Sequence, residues 1–512
     1  MARPADFDLA AALRSPSFTP GARDVPALVE LVIAGDERAP AALAQLADAR
    51  DALAARLDGD EAGRARVVGA LGWIARRGDA AAAELVIAQL GDASSRVRRA
   101  AIIALGKLGG DPARDVLIAR WDASDVTADE RRALADALGK LGGEAALARL
   151  RALDPGGDAE LARRRDRGLI VADRTAARGD DSSVRDDVAP PAPVAVTLHC
   201  KPGLAPLLVD ELRGKRIEAR AVDGASAELV LAGPWRELWA SRLWMRAAIR
   251  VPRPEGDLAE SIARGLVAAR PLLAAWTRGP IRWRLDVGGG KQRSLIWRVA
   301  KLVAQAAPEL VNDPTATTWE VSVADHALEL RPRRMTDPRF AYRVAEIPAA
   351  SHPTVAAALA FAAGARPGDR VWDPFVGSGL ELIERARLGP ARSLAGTDSS
   401  ASALDAARAN LAAAGVTATL ELGDSRAAVG EADLDLVITN APLGSRIHLD
   451  APALLAELIP VIARRLVRGG RLVWIIPAAA NAHAALPGFR RVRTFDVDLG
   501  QGRSPLAQLE RI

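Results

Sequence analysis

VWDPFVGSG, at residues 371–379, is the stretch that decides the fold of this chain. Its apolar start predicts a β-strand that ends at Asp373, while Gly377 and Gly379 predict a tight turn into a helix that begins at Leu380. A helix N-terminus beside such a turn favours ligand binding at the carboxyl end of a parallel strand. Glycine also occurs in these turns for steric reasons alone, so the loop by itself leaves a ligand site and a structural turn as alternatives.

Three strands predicted further along the chain also end in a polar residue. SLAGTD ends at Asp398, ELGD ends at Asp424, and DLVITN ends at Asn440. An acid at the end of the second strand is where ribose hydroxyls bind in dinucleotide-type folds. One acid could simply cap a helix, but the ordered set of strand ends, with Asp373 as the first, favours a ligand site.

The segments between these strands predict an α/β fold. Helices are predicted at residues 401–414 and 451–466, ended by Gly415 and by Gly469-Gly470. Further strands are predicted at residues 471–476, 491–498 and 506–512. Strands that alternate with helices in this way indicate a parallel sheet.

The C-terminal two thirds of the chain resembles class I S-adenosylmethionine-dependent methyltransferases, specifically the THUMP-containing RNA guanine-N2 group. Residues 373–379 match the D-P-x-x-G-S-G motif, and residues 440–443 match the N-P-P-Y loop in part. FAYR at 340–343 and SHPT at 351–354 resemble the R-G-Y-R and H-P-T stretches of that group. The resemblance implies a Rossmann-like methyltransferase domain over residues 346–512, with S-adenosylmethionine as cofactor.

The resemblance also implies roles for individual residues. Asp373 with Gly377 and Gly379 would hold the methionine portion of the cofactor, Asp398 the ribose, and Asp424 the adenine amine. The full implied cofactor set is Asp373, Phe375, Gly377, Ser378, Gly379, Asp398, Ser399, Asp424, Ser425 and Asn440.

The catalytic loop implied by the resemblance is Asn440, Ala441, Pro442 and Leu443. An exocyclic amine needs hydrogen-bond acceptors that localise its lone pair, and a proline that stiffens the loop keeps a carbonyl aimed at the amine. This loop has Ala441 in place of the first proline and Leu443 in place of the aromatic residue, while Gly444 and Arg446 still match the continuation. A ring there contributes about 1–3 kcal/mol of base stacking. Three alternatives remain: a guanine methyltransferase with an aliphatic base platform, an enzyme for another acceptor, or a cofactor-binding protein with weakened chemistry.

Residues 194–345 resemble the ferredoxin-like and THUMP-like RNA-binding region of the same group. CKPGL at 200–204, between a predicted strand and helix, resembles the opening of the ferredoxin-like module, and residues 319–323 and 327–331 predict a closing pair of strands. A cluster of basic residues near Tyr342 favours RNA contact beside the active site, as opposed to a solvated surface. Its members are Arg331, Arg333, Arg334, Arg339 and Arg343.

Residues 1–175 carry a repeat, because Ala-Leu-Gly recurs at 70–72, 104–106 and 137–139. The intervals of 34 and 33 residues between these triplets predict stacked pairs of helices that resemble HEAT repeats. Such an array could dock a protein or a ribosomal particle, or it could serve only as a scaffold for the catalytic part.

Residues 176–193 are polar and then proline-rich, and they predict a linker. The fold class expected is therefore an all-α repeat region, an α+β module and an α/β methyltransferase domain.

With a net charge of +5 over 512 residues, there is no uniform basic field for nucleic acid. The single cysteine, Cys200, excludes an internal disulfide and a cysteine zinc site, and the five histidines lack metal-ligand spacing. These patterns predict no metal site. The absence of a long apolar run or signal-peptide pattern favours a cytoplasmic protein that does not use a membrane.

Beyond an RNA methyltransferase acting on tRNA or rRNA, two alternatives remain open. The chain could methylate a protein, or it could be a non-catalytic RNA-binding or assembly factor that keeps a cofactor site with a degenerate N-P-P-Y loop.

Overall fold

The computed structural model describes residues 7–15, 18–176, 180–288, 292–348, 350–427, 432–442, 451–476, 486–500 and 502–512. The chain forms two compact units. The first comprises Met1–Ser182, Gly256–Val267 and Gly279–Thr317, and the second comprises Ser183–Glu255, Ala268–Arg278 and Thr318–Ile512.

The first unit begins with a stack of helix pairs, as the Ala-Leu-Gly repeat predicts. The helices are α1 (Leu9–Ala12), α2 (Val25–Ala34), α3 (Ala39–Leu43), α4 (Ala49–Ala54), α5 (Glu61–Ala75), α6 (Ala80–Ala88), α7 (Ser95–Leu108), α8 (Asp111–Trp121), α9 (Ala128–Leu141), α10 (Glu144–Ala152) and α11 (Ala159–Ala176). Helix α5 packs against α7, α7 against α9, and α9 against α11. The second helix of each pair follows across a short turn that contains Gly78, Gly109-Gly110 or Gly142-Gly143.

The glycine of each Ala-Leu-Gly triplet lies where two neighbouring repeats touch. A Cβ atom on Gly72 would lie 2.7 Å from the Cβ of Ala104, and one on Gly106 would lie 2.6 Å from the Cβ of Ala137. At the third position, a Cβ on Gly139 would lie 2.3 Å from the Cα of Gly168. These distances are shorter than any real contact between carbon atoms, so the helices pack this closely only because the glycines lack a side chain.

The middle of the chain contributes strands and helices to both units. The elements are β1 (Ser183–Val184), β2 (Val194–Cys200), α12 (Ala205–Gly214), β3 (Ala219–Ala221), β4 (Ser226–Leu231), β5 (Trp244–Pro252), α13 (Leu258–Ala268), α14 (Arg270–Trp276), β6 (Thr277–Arg278), β7 (Ile281–Asp286), α15 (Arg293–Ala306), β8 (Leu310–Asn312), β9 (Trp319–Val323) and β10 (Ala327–Pro332).

The first unit extends past the repeats. Helix α15 and the parallel pair of β7 and β8 belong to it, and α11 contacts both α15 and β8. Asp166 of α11 forms an ion pair with Lys301 of α15 at 2.5 Å, and the guanidinium of Arg167 lies 4.8 Å from the ring centre of Trp297. The last repeat helix is therefore joined to α15 by charge and by an aromatic contact. The predicted domain boundaries after residues 175, 193 and 345 stay a prediction.

In the second unit, an antiparallel sheet has the strand order β3-β4-β2-β5-β10-β9. The predicted strand, turn and helix that begin at residue 194 are present as β2 and α12, and the predicted closing pair is present as β9 and β10. Part of the segment predicted as a linker is bonded to this unit. Strand β1 pairs with β6, and the Nε1 of Trp276 donates to the carbonyl of Val188 at 2.7 Å.

The C-terminal part of the second unit is a seven-stranded sheet with helices between its strands. Its elements are α16 (Pro353–Ala363), β11 (Arg370–Asp373), α17 (Leu380–Arg387), β12 (Ser393–Asp398), α18 (Ala401–Ala414), β13 (Thr419–Leu422), β14 (Leu434–Asn440), α19 (Ala451–Arg465), β15 (Leu466–Ile475), β16 (Phe489–Asp498) and β17 (Arg503–Arg511). The strand order is β13-β12-β11-β14-β15-β17-β16, with β17 antiparallel between its two neighbours. The predicted strands, the helix that ends at Gly415 and the terminal pair are present, although β13 ends at Leu422, two residues before Asp424, and β15 begins at Leu466 instead of Arg471.

The predicted helix at residues 451–466 is confirmed to within one residue as α19, but the interpretation of Gly469-Gly470 as its stop signal is wrong. The helix ends at Arg465, and both glycines lie inside β15, which begins directly at Leu466. The pairing of β14 with β15 shifts register between Leu434 and Leu436, opposite the glycines. A Cβ atom on Gly470 would lie 2.8 Å from the carbonyl oxygen of Val467, so the glycine accommodates an irregularity inside the strand.

Strand β11 is where the connections of this sheet reverse direction. The chain moves from β11 outward to β12 and β13 on one side, then returns to β14 on the other. Ligands of open parallel sheets bind outside the carboxyl ends of the strands at such a point. Asp373, Asp398 and Asn440 end the three strands there. No helix among the described residues is both long and apolar enough to cross a membrane.

Candidate functional site

The glycine-rich loop after β11 brings the start of α17 close to α18. Gly377 and Gly379 have φ values of +51° and +83°, which a residue with a side chain adopts only with strain. A Cβ atom on Gly379 would also lie 3.4 Å from the Cβ of Ala407 in α18. Ser378 between them is buried, and its carbonyl accepts a hydrogen bond of 3.0 Å from the Nδ2 of Asn410. The loop is thus fixed from both sides, and the N-terminus of α17 is directed at the strand ends.

Asp398, at the end of β12, organises two loops. Its Oδ2 accepts a hydrogen bond of 2.9 Å from the backbone N–H of Gly377, and its Oδ1 accepts one of 2.9 Å from the N–H of Ser400. Each carboxylate oxygen has a further lone pair that can accept a hydroxyl proton. Asp398 is partly exposed and neighbouring Ser399 is exposed, so both can be reached by a ligand.

Two buried carboxyl groups, Asp373 and Glu381, lie near each other in the site. Oδ1 of Asp373 accepts a hydrogen bond of 3.0 Å from the N–H of Phe375, whereas its Oδ2 makes no hydrogen bond of normal geometry with a described residue. Burial raises the pKa of Asp373 well above its usual range, and the neighbouring Glu381 carboxylate raises it further. The nearby hydroxyl of Thr439 acts in the opposite direction and lowers the pKa of this carboxyl. Burial also raises the pKa of Glu381. A cationic ligand would relieve both effects, because it favours the charged form of each acid.

Asp424 and Ser425 follow the third strand end. Oδ1 of Asp424 accepts hydrogen bonds of 2.9 and 3.0 Å from the backbone N–H and the Nε of Arg426, and this guanidinium lowers the pKa of Asp424. The hydroxyl of Ser425 donates to the carbonyl of Pro374 in the glycine-rich loop. Asp424 itself is exposed, so its role toward an adenine ring stays a prediction.

Asn440, at the end of β14, carries a buried acceptor atom that nothing described in the structure satisfies. Its Nδ2 donates a hydrogen bond of 3.0 Å to the hydroxyl of Ser351, and its Oδ1 has no partner among the described residues. Ala441 is buried and donates its N–H to the carbonyl of Ile475 at 3.0 Å, while Pro442 is partly buried. Leu443, Gly444 and Arg446 lie outside the described residues.

The sequence did not point to Ser351 and Glu381 as parts of the site. Ser351 donates its hydroxyl proton to the Oε1 of Glu381, so the two link Asn440 to the first turn of α17. The sequence signal that could have indicated Glu381 is its position as an acid directly after the glycine-rich loop. Ser351 lies 89 residues before Asn440, and no local pattern predicts their contact.

Glu384, one turn further along α17, faces away from the strand ends. Its carboxylate accepts hydrogen bonds of 2.6 and 2.7 Å from the guanidinium of Arg242, and a bond of 2.5 Å from the hydroxyl of Tyr342. The buried acid is neutralised by an arginine, as buried charges require. This group holds α17 in place and is structural.

The predicted RNA-contacting arginines differ in what they bond to. Arg331 donates to Glu320, Arg343 pairs with Glu346 at 3.1 Å, and Arg333 and Arg334 are exposed. Arg339 is buried, and its guanidinium bonds Asp337 and the carbonyls of Ser241 and Trp244. Arg339 therefore has no free surface for a phosphate. The described residues contain no group of three or more His, Cys, Asp or Glu side chains placed to hold a metal ion.

Two segments of the chain match known protein families. Residues 341–504 match the UPF0020 family, an RMKL-like methyltransferase domain, and residues 50–134 match HEAT repeats. The crystal structure of TrmN from Thermus thermophilus is 24% identical with a TM-score of 0.53, and the similarity covers 62% of this chain and 100% of that one. A possible methylase from Clostridium difficile 630 is 16% identical with a TM-score of 0.50, over 62% of this chain and 98% of that one. At these identities the two structures show the fold alone. No curated protein matches the sequence.

The match over residues 341–504 makes this part of the chain a methyltransferase domain, with S-adenosylmethionine as its cofactor. The site fits that molecule, because its sulfonium and ammonium groups are both cations. The Oδ2 of buried Asp373 has the chemistry to accept a hydrogen bond from an ammonium, and the carboxylate of Asp398 can accept from hydroxyl groups. The chain is thus an S-adenosylmethionine-dependent methyltransferase.

Binding of the cofactor is expected to weaken as pH falls. The raised pKa of Asp373 means that the free protein takes up a proton there above the usual aspartate range, and a bound cation favours the ionised form. Below about pH 7, where an α-amino group stays protonated, binding should therefore release a proton from the protein. Titration calorimetry in two buffers of different ionisation enthalpy measures this release.

The matched control for this measurement is Asp373→Asn, which removes the titrating group at nearly constant shape. We expect the variant to bind more weakly and to lose the proton release. An affinity for the wild-type protein that is constant from acidic to neutral pH would contradict the assignment of Asp373.

Proposed function

We propose that the chain transfers the methyl group of S-adenosylmethionine to an exocyclic amine of an RNA base, with N2 of a guanine in tRNA or rRNA as the favoured acceptor. The observation that carries the proposal is the Oδ1 of Asn440, a buried acceptor without a partner among the described residues, at the strand end next to that of Asp373. The N–H of an amine can donate a hydrogen bond to such an acceptor atom.

The chain's own groups would prepare the amine for attack. The lone pair of an exocyclic amine is delocalised into the ring, so the amine is a poor nucleophile until its protons are held out of the ring plane. Asn440 Oδ1 would accept one proton and the backbone carbonyl of Ala441 the other, with Pro442 restricting the loop. The buried N–H of Ala441 is already bonded to Ile475, which helps to keep that carbonyl in place.

The bound cofactor supplies a methyl group on a positively charged sulfur, which makes the methyl carbon an electrophile. Asp373 would hold the ammonium and the turn at Gly377 and Gly379 the carboxylate end of the methionine portion. Asp398 would bind the ribose and Asp424 the adenine amine. Phe375, Ser378, Ser399 and Ser425 complete the proposed cofactor set.

RNA would be held by the middle of the chain, which we propose to be a ferredoxin-like and THUMP-like region. Arg334 is exposed and can contact phosphate directly, and exposed Arg333 has only a long ion pair of 3.9 Å with Glu320, whereas Arg331 and Arg343 would first have to exchange a closer carboxylate partner. The helical repeats would offer a surface for a protein or ribosomal partner. Arg339 is no longer part of the proposed RNA set.

Transfer of radiolabelled methyl to RNA tests the proposal. The purified chain is incubated with labelled S-adenosylmethionine and total RNA from a strain that lacks the gene, and the nucleosides are then separated. We expect label in N2-methylguanosine. Label in another methylated base amine would keep the reaction and change the acceptor. Label that resists ribonuclease and is lost with protease would replace RNA by protein, and cofactor binding without any label would indicate a non-catalytic factor.

A further inference from the structure

Three residues from distant parts of the chain form one line of hydrogen bonds behind the proposed acceptor atom. The Nδ2 of Asn440 donates to the hydroxyl of Ser351 at 3.0 Å, and this hydroxyl donates to the Oε1 of Glu381. Ser351 precedes α16, Glu381 lies in the first turn of α17, and Asn440 ends β14. The side chain of Glu381 is 4% exposed, so the line runs into the protein interior.

We propose that Ser351 and Glu381 are positioning residues that fix the direction of the Asn440 amide and so keep its Oδ1 atom available to the amine. This inference rests on the proposed function, because it concerns the acceptor role of Asn440.

While Glu381 is ionised, the chemistry of the three groups sets the direction of the line. Burial raises the pKa of Glu381, and a protonated Glu381 would donate to Ser351 and reverse this direction, so the positioning role applies above that pKa. A serine hydroxyl has one proton to donate and two lone pairs, whereas an ionised carboxylate only accepts. With its proton donated to Glu381, Ser351 can only accept from Asn440. The Nδ2 of the amide must then face Ser351, and the Oδ1 must face the other way, where it has no partner among the described residues.

An apolar residue in place of Glu381 would remove this constraint. Ser351 could then donate its proton to the Oδ1 of Asn440, and the amide would turn its Nδ2 toward the amine. Two donors would face each other, and the amine would lose the acceptor that localises its lone pair.

The charge balance around the two buried acids of α17 separates their roles. Glu384 is neutralised by the guanidinium of Arg242 at 2.6 Å. No described cation pairs with Glu381. Besides burial, its charge raises the pKa of Asp373, and the charge of Glu384 raises the pKa of Glu381 itself. Burying an acid without a counter-ion is unfavourable. A role in the site explains its place better than a role in packing does.

Ser351→Ala is the first test, with Ser351→Thr as the conservative variant that keeps a hydroxyl. Ser402→Ala is the matched control, because Ser402 is an exposed serine in α18 of the same domain. At saturating cofactor, we expect Ser351→Ala to lower kcat by at least about 10-fold, with the KM for RNA and the Kd for cofactor within about twofold of wild type. Threonine should retain most of the activity, and the control should match the wild type.

Glu381→Leu and the double variant test whether both residues act through one amide. Because they belong to a single line of bonds, the double variant should be no slower than Ser351→Ala alone. A further loss in the double variant equal to the product of the two single losses would mean independent effects and would overturn the inference.

A readout that needs no activity is proton exchange at the side-chain amide of Asn440. In protein labelled with ¹⁵N-asparagine, the Nδ2 signals are assigned by their loss in Asn440→Ala. We expect slow exchange in the wild type and in Ser351→Thr, and faster exchange in Ser351→Ala, since the bond to the hydroxyl protects these protons. Equal exchange in Ser351→Ala and the wild type would overturn the inference.

Two variants distinguish failure of the proposed function from failure of the positioning role. Full activity of Asn440→Ala would remove the proposed function itself. An inactive Asn440→Ala together with full activity of Ser351→Ala would leave that function in place and reject only the positioning role of Ser351 and Glu381.

Discussion

Asn440→Ala is expected to lower methyl transfer by about 10²–10³-fold, the loss seen when one oriented hydrogen-bonding group is removed from a transition state. The variant deletes the only side-chain acceptor proposed for the amine, and it also leaves Ser351 without the group whose direction it fixes. The Kd for S-adenosylmethionine should stay within about twofold of wild type, because Asp373 and Asp398 are unchanged. Single-turnover transfer to RNA at saturating cofactor measures the loss, and titration calorimetry measures the affinity.

Gln508→Ala is the matched control for Asn440→Ala. Gln508 carries the same amide group on β17 of the same sheet and is only partly buried, so its truncation tests a general effect on the domain. Its turnover should equal that of the wild type. If Asn440→Ala transfers methyl groups at the wild-type rate, the chemistry does not use the end of β14.

Asp398→Ala is expected to weaken cofactor binding by about 10–100-fold. Hydrogen bonds that involve a charged group contribute about 1.5–3 kcal/mol each, and the ribose would lose at least one. The variant would also free the N–H of Gly377, so the glycine-rich loop would lose one of its fixed points. The thermal shift produced by added cofactor should fall in parallel.

The control for Asp398→Ala is Asp405→Ala, which removes an exposed acid paired with Arg408 on α18. Its affinity should be unchanged, since the side chain lies in solvent. The prediction fails if Asp398→Ala binds S-adenosylmethionine as tightly as the wild type in calorimetry, and the ribose would then have to bind elsewhere.

The C-terminal sheet could be predicted from sequence because its signals are local. Apolar runs that end in Asp373, Asp398 and Asn440 mark strand ends, and Gly415 marks a helix end with a φ of +66°. Gly469 and Gly470 were interpreted as the end of a helix, but they lie inside β15. Glycine occurs at strand irregularities as well as at helix ends. The difference depends on how β14 pairs with β15, and the local sequence does not contain that pairing.

The candidate site could be predicted only in part, since much of it depends on contacts between distant residues. Glu381 and Glu384 both follow the same glycine-rich loop, yet one faces Ser351 and the other faces Arg242, 142 residues earlier. Arg339 looked like a surface cation in a basic cluster, but Asp337 and two carbonyls enclose it. Which side of a helix a charge faces is set by tertiary packing.

The glycines of the Ala-Leu-Gly triplets have a consequence for how the number of helical repeats can change. Backbone meets backbone or a single methyl group at Gly72, Gly106 and Gly139, so the distance between neighbouring repeats is set where almost no side chain intervenes. Duplication or deletion of one whole repeat would re-create the same junction, whereas a partial insertion would place a larger residue in it. The repeat region can therefore grow or shrink in whole repeats while the close packing between neighbouring repeats is preserved.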